Sequence, residues 1–590
     1  MIVKMEKVTL ILSKKYDCEA LQSLSKLGVL HIKNMREPSA DYIDSLEHKL
    51  SSTNQALAVI GSLSAQGERV KIEDEAYIVK EILALDNKRK LLLNEVEILK
   101  KKLSWFEQWG EVSFSSLEYL KKAGVFLRLY HCDKKTFKHI LQKKNIYILN
   151  KNKSEVYFVL VSTAEDERIN LPEAEVPREN KAYLDKKIKD AYKDLARIEK
   201  DLTQLSLYQK DLIIYKGDLI KRLNFCKARF GMFHEEEICA LQGFCPKESV
   251  KDIESLAAQE GWALKIEEPQ NLQEVPTLIR NPKWIKIIKP VFDFMGTLPG
   301  YQEYDISFWF LFFFSLFFAM IIGDAAYGLI FLVATLFIHK KLPKVPKEPI
   351  FLMYVLSGAT IIWGALSGTW FGFEKIAQLP VFNALIVDKI NSFVDTNQVF
   401  IIYWCFLIGA IQLTLAHGIV AFRYINSLFA LSQLGWIFII WTAFFVAGNL
   451  VLNNPLPSFT LLLGISGAGL VILFANFQKN ILKGIATSLA DFPLSALSSF
   501  SDIVSYLRLF AVGYATLAVA DTFNTMALSL GRSNFILGLT AAIILFLGHS
   551  LNIILGLMSV IVHGIRLNML EFSGHLNMQW SGLEYKPFKD

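Results

Sequence analysis

Residues 498–520 read SSFSDIVSYLRLFAVGYATLAVA, and residues 548–572 read GHSLNIILGLMSVIVHGIRLNMLEF. Each run is apolar and long enough to cross a bilayer, and each carries one arginine inside it, Arg508 and Arg566. A guanidinium at the centre of a membrane helix costs about 2.5–3.5 kcal/mol on insertion scales, so such a residue faces a partner or a water-filled cavity. His549, Asn552, Gly556, Ser559, His563 and Arg566 follow one another at steps of three and four, which predicts a single polar face. Ser498, Ser501, Ser505 and Arg508 repeat the pattern on the earlier run. The expectation is two facing helices with polar stripes inside an apolar body, and a functional site between them.

The rest of the 590-residue chain divides by composition. The first half is charged and lysine-rich, whereas the second is dominated by Phe, Leu, Ile, Ala and Gly, which predicts a soluble domain before a polytopic membrane domain. A net charge of +6 with acidic and basic residues interleaved gives no basic stripe, so no nucleic-acid partner is expected. The six cysteines are scattered without a CxxC pair, so neither a metal site nor a disulfide framework is indicated, and a reducing compartment is expected. The opening MIVKMEKVTLILSKK is too charged for a signal peptide, which keeps the soluble half in the cytoplasm.

Within that half, residues 8–32 alternate strand, helix and strand. A four-three repeat then runs through Ile78, Ile82, Leu85, Arg89, Leu92, Val96, Leu99, Leu103 and Phe106, and a second through Leu184, Ile188, Ala191, Leu195, Ile198, Leu202, Leu205, Gln209 and Leu212. Two such seams predict an antiparallel coiled-coil hairpin. The expected fold class is therefore mainly α. An N-terminal cytoplasmic dumbbell of two α/β lobes, joined by that hairpin, precedes an eight-helix transmembrane domain with two long tilted C-terminal helices. The boundaries are about 1–300 for the cytoplasmic part and 301–590 for the membrane part. Inside the first, one lobe takes about 1–35 and 236–270, the distal lobe about 123–165, and the arms about 40–110 and 178–230.

Eight apolar segments follow, at about 305–322, 325–339, 350–373, 399–424, 428–452, 458–476, 493–528 and 535–572. With the N-terminal half in the cytoplasm, Lys340, Lys341, Lys344, Lys347, Arg423, Lys479, Lys483, Lys586 and Lys589 fall inside, and only Lys375, Lys389 and Arg532 outside. Both termini are then cytoplasmic. The first two spans are short and meet at Gly323 and Asp324, and Asp491 with Pro493 predicts the start of the seventh.

These features resemble the membrane stator of rotary V-type and A-type ATPases, called subunit a in eukaryotes and subunit I in bacteria and archaea. The strings that carry the resemblance are FFAMIIGDAAYGL (317–329), SDIVSYLRLFA around Arg508, HGIRLNMLEF around Arg566 and LQGFCPKESV (241–250). The resemblance implies a collar that braces peripheral stalks of E/G type. It also implies a central-stalk socket subunit of d/C type and a rotating c/K ring of proteolipids, each with one ion-carrying carboxylate. It implies a plasma-membrane location in a prokaryote, no cofactor, and coupling of ATP hydrolysis or synthesis to H⁺ or Na⁺ translocation. The chain has no G-x-x-x-x-G-K-[ST] loop, so it is expected not to be an enzyme itself.

On this resemblance Arg508 discharges the ring carboxylate and blocks the leak, and Arg566 supports it. Glu571 belongs to the cytoplasmic half-channel, His563 bonds across to the other helix, and Ser505 shares the Arg508 face. His549, Asn552, Ser559 and Asp324 are candidates for the outer path. The first three read equally as interhelical hydrogen bonds, and Asp324 as a helix cap. Thr516 and Gly556 stand where eukaryotic relatives carry His and Glu, so the outer path does not transfer residue by residue. The alternative function is a secondary transporter with a cytoplasmic regulatory domain, for which inverted-repeat hydropathy is the expected sign; none is evident.

Overall fold

The computed structural model describes residues 1–63, 74–140, 145–151, 155–164, 166, 168–342, 345–476, 481–530 and 535–589. Lys344, Lys479 and Arg532 lie outside these residues. The chain divides into two compact units: Met1–Thr9, Val29–His31 and Gly243–Pro587 form the first, and Leu10–Gly28, Ile32–Gln242 and Phe588–Asp590 the second.

The chain opens with β1 (Met5–Ser13), α1 (Asp17–Leu27), β2 (His31–Lys33), α2 (Asp41–Ile60) and α3 (Glu75–Trp109). Then come α4 (Phe114–Lys122), β3 (Phe126–Asp133), α5 (Lys134–Ile140), β4 (Ile146–Lys151), β5 (Glu155–Ser162), α6 (Lys181–Leu205) and α7 (Gln209–Phe230). In the second unit the seam residues meet. Phe106 and Leu99 cluster with Leu184 and Ile188, Val96 with Ala191 and Leu195, and Ile82 with Ile198 and Leu202. Rising numbers on α6 match falling numbers on α3, so the two helices are antiparallel. Likewise Ile43 and Leu46 of α2 meet Leu219 and Leu223 of α7. Beyond α3, strands β3, β5 and β4 form an antiparallel sheet in that order, with Tyr130 opposite Phe158. At the other end of this unit the Arg229 guanidinium lies 2.8 Å from the Asp17 carboxylate. Burial raises the Asp17 pKa, but hydrogen bonds from Arg229 and Cys18 outweigh it and leave the net shift downward.

In the second unit β6 (Phe233–Glu235) pairs antiparallel with the first residues of β7 (Ile238–Pro246); the chain continues with α8 (Val250–Glu260), β8 (Ala263–Glu267), β9 (Pro276–Thr277), and the short α9 (Lys283–Lys286) and α10 (Lys289–Met295). The apolar helices are α11 (Ser307–Ile322), α12 (Ala325–Lys341) and α13 (Lys347–Ser367), then α14 (Glu374–Ala377) and α15 (Pro380–Asn383) in a loop, α16 (Gln398–Arg423), α17 (Phe429–Leu452), α18 (Thr460–Phe474), α19 (Ile481–Ser505), α20 (Leu507–Leu530) and α21 (Phe535–Ser559). After π-helical turns, α22 (Ser573–His575) and β10 (Leu583–Glu584) end the described chain.

All eight apolar segments are helical, but they are unequal. Among the described residues, five helices are long and apolar enough to cross a membrane, six when the pair α11 and α12, bent by 120°, counts as one, and α18 is shorter. The seventh segment starts earlier than its Asp491–Pro493 pair predicts. Helix α19 begins at Ile481 and carries Pro493 inside it, because the preceding ILKGIATSLA is itself a continuous helix former. Helix α11 is apolar on all sides and buried over most of its surface, with Phe310, Phe317 and Ile321 inaccessible and Phe308 and Phe312 exposed on one face, so the other helices stand around it on its remaining sides. Gly364 lets α13 touch the α11–α12 turn: a Cβ there would sit 2.1 Å from the Ala325 nitrogen.

The segments before α11 and after α22 are bound to each other. Glu303 accepts hydrogen bonds from the Gln579 N–H at 2.6 Å and the Trp580 N–H at 3.2 Å, and β10 pairs in parallel with β9. Within this junction the Lys586 N–H donates to His31 Nδ1 at 3.0 Å. Burial, the first cause, and the Lys586 charge hold the His31 pKa below its usual value, although the Lys586 carbonyl, 3.1 Å from the same nitrogen and an acceptor for a protonated ring, opposes them. A neutral ring is needed to accept, so this contribution is present above about pH 6.5 and is lost as pH falls through the lower folded value. Hydrogen exchange at residues 583–587 should therefore quicken several-fold between pH 7 and pH 5 after correction for intrinsic rates, and His31→Phe should remove that extra pH dependence. Equal corrected protection at both values would count against the contact.

Candidate functional site

Helices α19 and α20 are one apolar run interrupted at Tyr506. The Tyr506 N–H bonds Ile503 O at 3.1 Å and the Leu509 N–H bonds Tyr506 O at 3.0 Å, a tighter turn that re-aims the chain just before Arg508. The Tyr506 side chain is fully buried, and its hydroxyl donates to Gln412 Oε1 of α16 at 2.8 Å. Gln412 Nε2 donates in turn to Asn568 Oδ1 at 3.0 Å, and Asn568 Nδ2 donates to Gly564 O at 3.2 Å. A Cβ on Gly409 would lie 2.6 Å from the Tyr506 ring, so only glycine admits the ring there. This buried chain ties the Arg508 break to the segment that carries Arg566.

That segment is not a plain α-helix. Val560–Gly564 and Leu567–Phe572 are π-helical. In an α-helix, residues five apart point about 140° away from each other. The i→i+5 bonding of a π turn brings them to one side. Arg566 and Glu571, five apart, thus meet: Arg566 Nε lies 3.8 Å from Glu571 Oε1, and Arg508 Nη2 lies 3.8 Å from the same oxygen. Glu571 is 4% exposed, Arg508 20% and Arg566 54%. Among the described residues, Glu571 Oε2, Arg508 Nη1 and His563 Nδ1 are buried without a hydrogen-bond partner. Ser505 is half-buried and turns its hydroxyl back onto Ser501 O at 2.9 Å, and Ser559 stands at the first π turn.

His549 and Asn552 belong to a different cluster. His549 Nδ1 lies 2.8 Å from the Tyr327 hydroxyl, and its Nε2 lies 3.1 Å from Asn524 Oδ1. Asn552 Nδ2 donates to the Tyr327 hydroxyl at 3.1 Å and to Thr516 O at 2.8 Å, while its buried Oδ1 has no partner among the described residues. At 1.5 Å per residue this cluster is about 25 Å from Arg566 along the helix. Asp324 is committed elsewhere: its Oδ1 accepts from the Ala326 N–H at 2.8 Å and the Tyr327 N–H at 3.3 Å, and its Oδ2 from the Gly372 N–H at 2.9 Å. It caps α12 and pins the following loop. Beside it, a cavity of about 50 Å³ extends from Ser392 and Gln398 past Tyr327 and Thr516 to Gly513 and Leu509. That is room for about three or four waters.

The sequence reading passes over one further chain of polar groups. His417 of α16 lies with Nδ1 2.6 Å from Gln433 Oε1 and Nε2 2.9 Å from His575 Nδ1, and His575 Nε2 lies 3.1 Å from Asp502 Oδ2. A neutral His575 that donates to Asp502 accepts from His417, which then accepts from a reoriented Gln433 amide. An added proton makes His575 donate at both nitrogens, so the chain accommodates one extra proton without moving an atom far. Its sequence signal is four lone polar residues in apolar surroundings, on segments 158 residues apart at the widest. Among the described residues no group of three or more His, Cys, Asp or Glu side chains is placed to hold a metal ion.

Over 618 aligned residues the chain is 34% identical to a V-type ATP synthase subunit I of Borreliella burgdorferi, covering 100% of this chain and 99% of that protein. The chain belongs to the subunit I family of V-type and A-type ATP synthases. It is also 29% identical to V-type ATP synthase subunit I 1 of Treponema pallidum over the whole of both chains. To an A-type ATP synthase subunit I of Methanocaldococcus jannaschii it is 25% identical, over 75% of this chain and 68% of that one. No family model matches the chain.

In this subunit I the Tyr506 hydroxyl is a buried structural contact, whereas Tyr514 is 38% exposed. Tyr506→Phe leaves Gln412 Oε1 unpaired and should lower stability by about 1–3 kcal/mol, while Tyr514→Phe should change it by less than about 0.5 kcal/mol. Thermal unfolding of the two variants in detergent measures the difference, and equal midpoints would refute the buried network.

Proposed function

We propose that this subunit I is the fixed ion path of its rotary complex, with Arg508 as the group that a rotor carboxylate meets once per passage. The observation that carries the reading is the charge imbalance at Glu571. Within ion-pair distance two guanidiniums share one buried carboxylate, one positive charge over, and Arg508 Nη1 has no partner among the described residues. A carboxylate on another chain supplies the missing charge and the missing acceptor.

In apolar surroundings such a carboxylate carries its ion and is neutral, because an isolated anion there is too costly. Opposite Arg508, at about 4 Å and an effective dielectric near 20, the attraction is about 4 kcal/mol, which favours the ionised form by about three powers of ten. The proton or sodium ion then leaves. Arginine serves because it never gives up its own proton, and a fixed cation between the two paths repels any ion that tries to pass directly. Glu571 holds both guanidiniums in place until the rotor carboxylate arrives, and Arg566 widens the positive zone.

We assign the inner half-channel to Glu571, Asp502, His575 and His417, and the outer one to the cavity beside Tyr327 and Thr516 with His549 and Asn552. Ser559, His563 and Ser505 line the seam between them. Asp324 is assigned a capping role. The coiled-coil arms around Ile82, Leu99, Ile188 and Leu202 brace the peripheral stalks, and the chain itself performs no ATP chemistry. The proteolipid ring, the stalk subunits and the socket subunit are its partners in a plasma membrane.

The contact between Glu303 and Gln579, which flank the whole apolar series, supports a topology in which the series begins and ends on one side with an even number of crossings. Eight crossings use every apolar helix, and the lysine bias puts both ends in the cytoplasm.

The test uses the intact complex in sealed vesicles with ATP outside. Arg508→Gln should abolish ion uptake, by at least about a hundredfold, with assembly unchanged, and Arg508→Lys should recover little of it. Arg566→Gln should leave measurable uptake. Normal pumping by assembled Arg508→Gln complex would sink the proposal. Uptake assayed as proton and as sodium flux identifies the ion.

A further inference from the structure

The outer face of α11 and α13 carries a cleft of about 480 Å³, on the opposite side of α11 from the arginines, lined by Trp284, Phe308, Phe312, Leu316, Val355 and Ile362 among others. Its size is in the range of small-molecule sites. Its walls are apolar: the one aliphatic hydroxyl on the lining, Ser315, already donates to Leu311 O at 2.7 Å. On α11 the lining runs from Phe308 to Ala319 and on α13 from Val355 to Leu366. Eleven residues at 1.5 Å each make about 16 Å, which is about half of a 30 Å hydrocarbon core. The cleft is therefore one leaflet deep, a length that matches an acyl chain and no polar metabolite.

One end of the cleft is charged and the other is not. The lining of α13 steps by three and four through Val355, Ala359, Ile362 and Leu366, and the same face extended back one helical turn and more reaches Glu348. There Lys286 Nζ lies 3.1 Å from Glu348 Oε1. Trp284, which lines the cleft and stacks edge-on against Phe308 at 5.6 Å, stands between Lys283 and Lys286 on α9. Lys289 and Lys347 begin the adjoining helices, so four lysines gather at this end against Glu348 and Asp293. Lys283, Lys286 and Lys289 are exposed. A tryptophan between lysines at the mouth of an apolar slot is the arrangement expected where headgroups meet acyl chains.

We propose that this cleft is a binding site for one anionic phospholipid, with an acyl chain between α11 and α13 and the phosphate at Lys283 and Lys286. The surplus of positive charge selects an anionic over a zwitterionic headgroup. The lipid wedges the entry of α11, the helix against which the Arg508 helix rests, so it supports the site without touching it.

The test takes the intact complex in nanodiscs that contain equal phosphatidylglycerol and phosphatidylcholine, with lipids retained after detergent exchange counted by native mass spectrometry. Wild type should keep about one phosphatidylglycerol per subunit, in at least about tenfold preference. Lys283→Gln with Lys286→Gln, at exposed positions that leave the fold intact, should reduce that preference about tenfold. Ala359→Trp, which fills the slot without altering charge, should release the lipid altogether. Millimolar inorganic phosphate should displace nothing. Equal retention of both lipids by wild type, a preference that survives both variants, displacement by free phosphate, or a protein chain seated in the cleft would each overturn the proposal.

Discussion

Putting charge where water is excluded is the constraint on which the membrane unit depends. Two guanidiniums and one carboxylate lie among helices whose side chains are almost all apolar, and each alone would be expensive to bury. The arrangement persists because Glu571 is shared between Arg508 and Arg566 at equal distances. That sharing demands unusual backbone. The break at Tyr506 aims Arg508, the π turns bring Arg566 and Glu571 to one side, and the bare Cα of Gly409 makes room for the ring that fixes the break. The Tyr506, Gln412 and Asn568 chain then satisfies the polar groups these departures expose. A site with such supports holds its charges in place before any partner arrives, and electrostatic work of this kind gains from preorganisation.

A second constraint is closure. Glu303 before the apolar series and Gln579 after it are hydrogen-bonded neighbours, and β9 and β10 pair beside them. The first and last helices are thereby fixed at one end by the same few residues. Since α11 is central and the π segment packs against it, this junction also limits how far Arg566 can move relative to Arg508. The His31 contact to Lys586 extends the junction and makes part of it sensitive to acid.

Much of this was legible in the sequence, for reasons that differ from element to element. The seams read correctly as antiparallel because burial follows a four-three repeat that chance rarely sustains: Leu184, Ile188, Leu195 and Leu202 are all buried. The apolar segments read well because composition suffices. The start of α19 did not, since Asp491 and Pro493 mimic a helix start in a stretch that was already helical. Local start signals lose to the longer pattern around them. The single polar face drawn from His549 to Arg566 assumed 3.6 residues per turn throughout, and the π turns break that assumption just where it matters. No periodicity foretells a π turn. Asp324 was open between ion ligand and cap, and in the fold its carboxylate accepts from three N–H groups, two of them at the start of α12. The chain from Gln433 through His417 and His575 to Asp502 was invisible because its members come from separate segments, and only the fold brings them together.

The two polar clusters differ in kind, and that difference bears on how leakage is prevented. Around Arg508 the groups are ionisable: Glu571, His563, Asp502, His575 and His417. Around Asn552 they are mostly neutral: Tyr327, Asn524 and Thr516, with His549 the imidazole hydrogen-bonded there. Between them α21 presents apolar turns such as Leu551, Ile554, Leu555 and Met558, all exposed on this chain. Among the described residues the hydrogen bonds that join the members of one cluster do not run on to the other. If the exposed apolar face is where a rotor chain runs, the missing link between the clusters is the moving carboxylate itself. On the function proposed above, transport then requires motion, and the stator keeps its seal even when the rotor stands still.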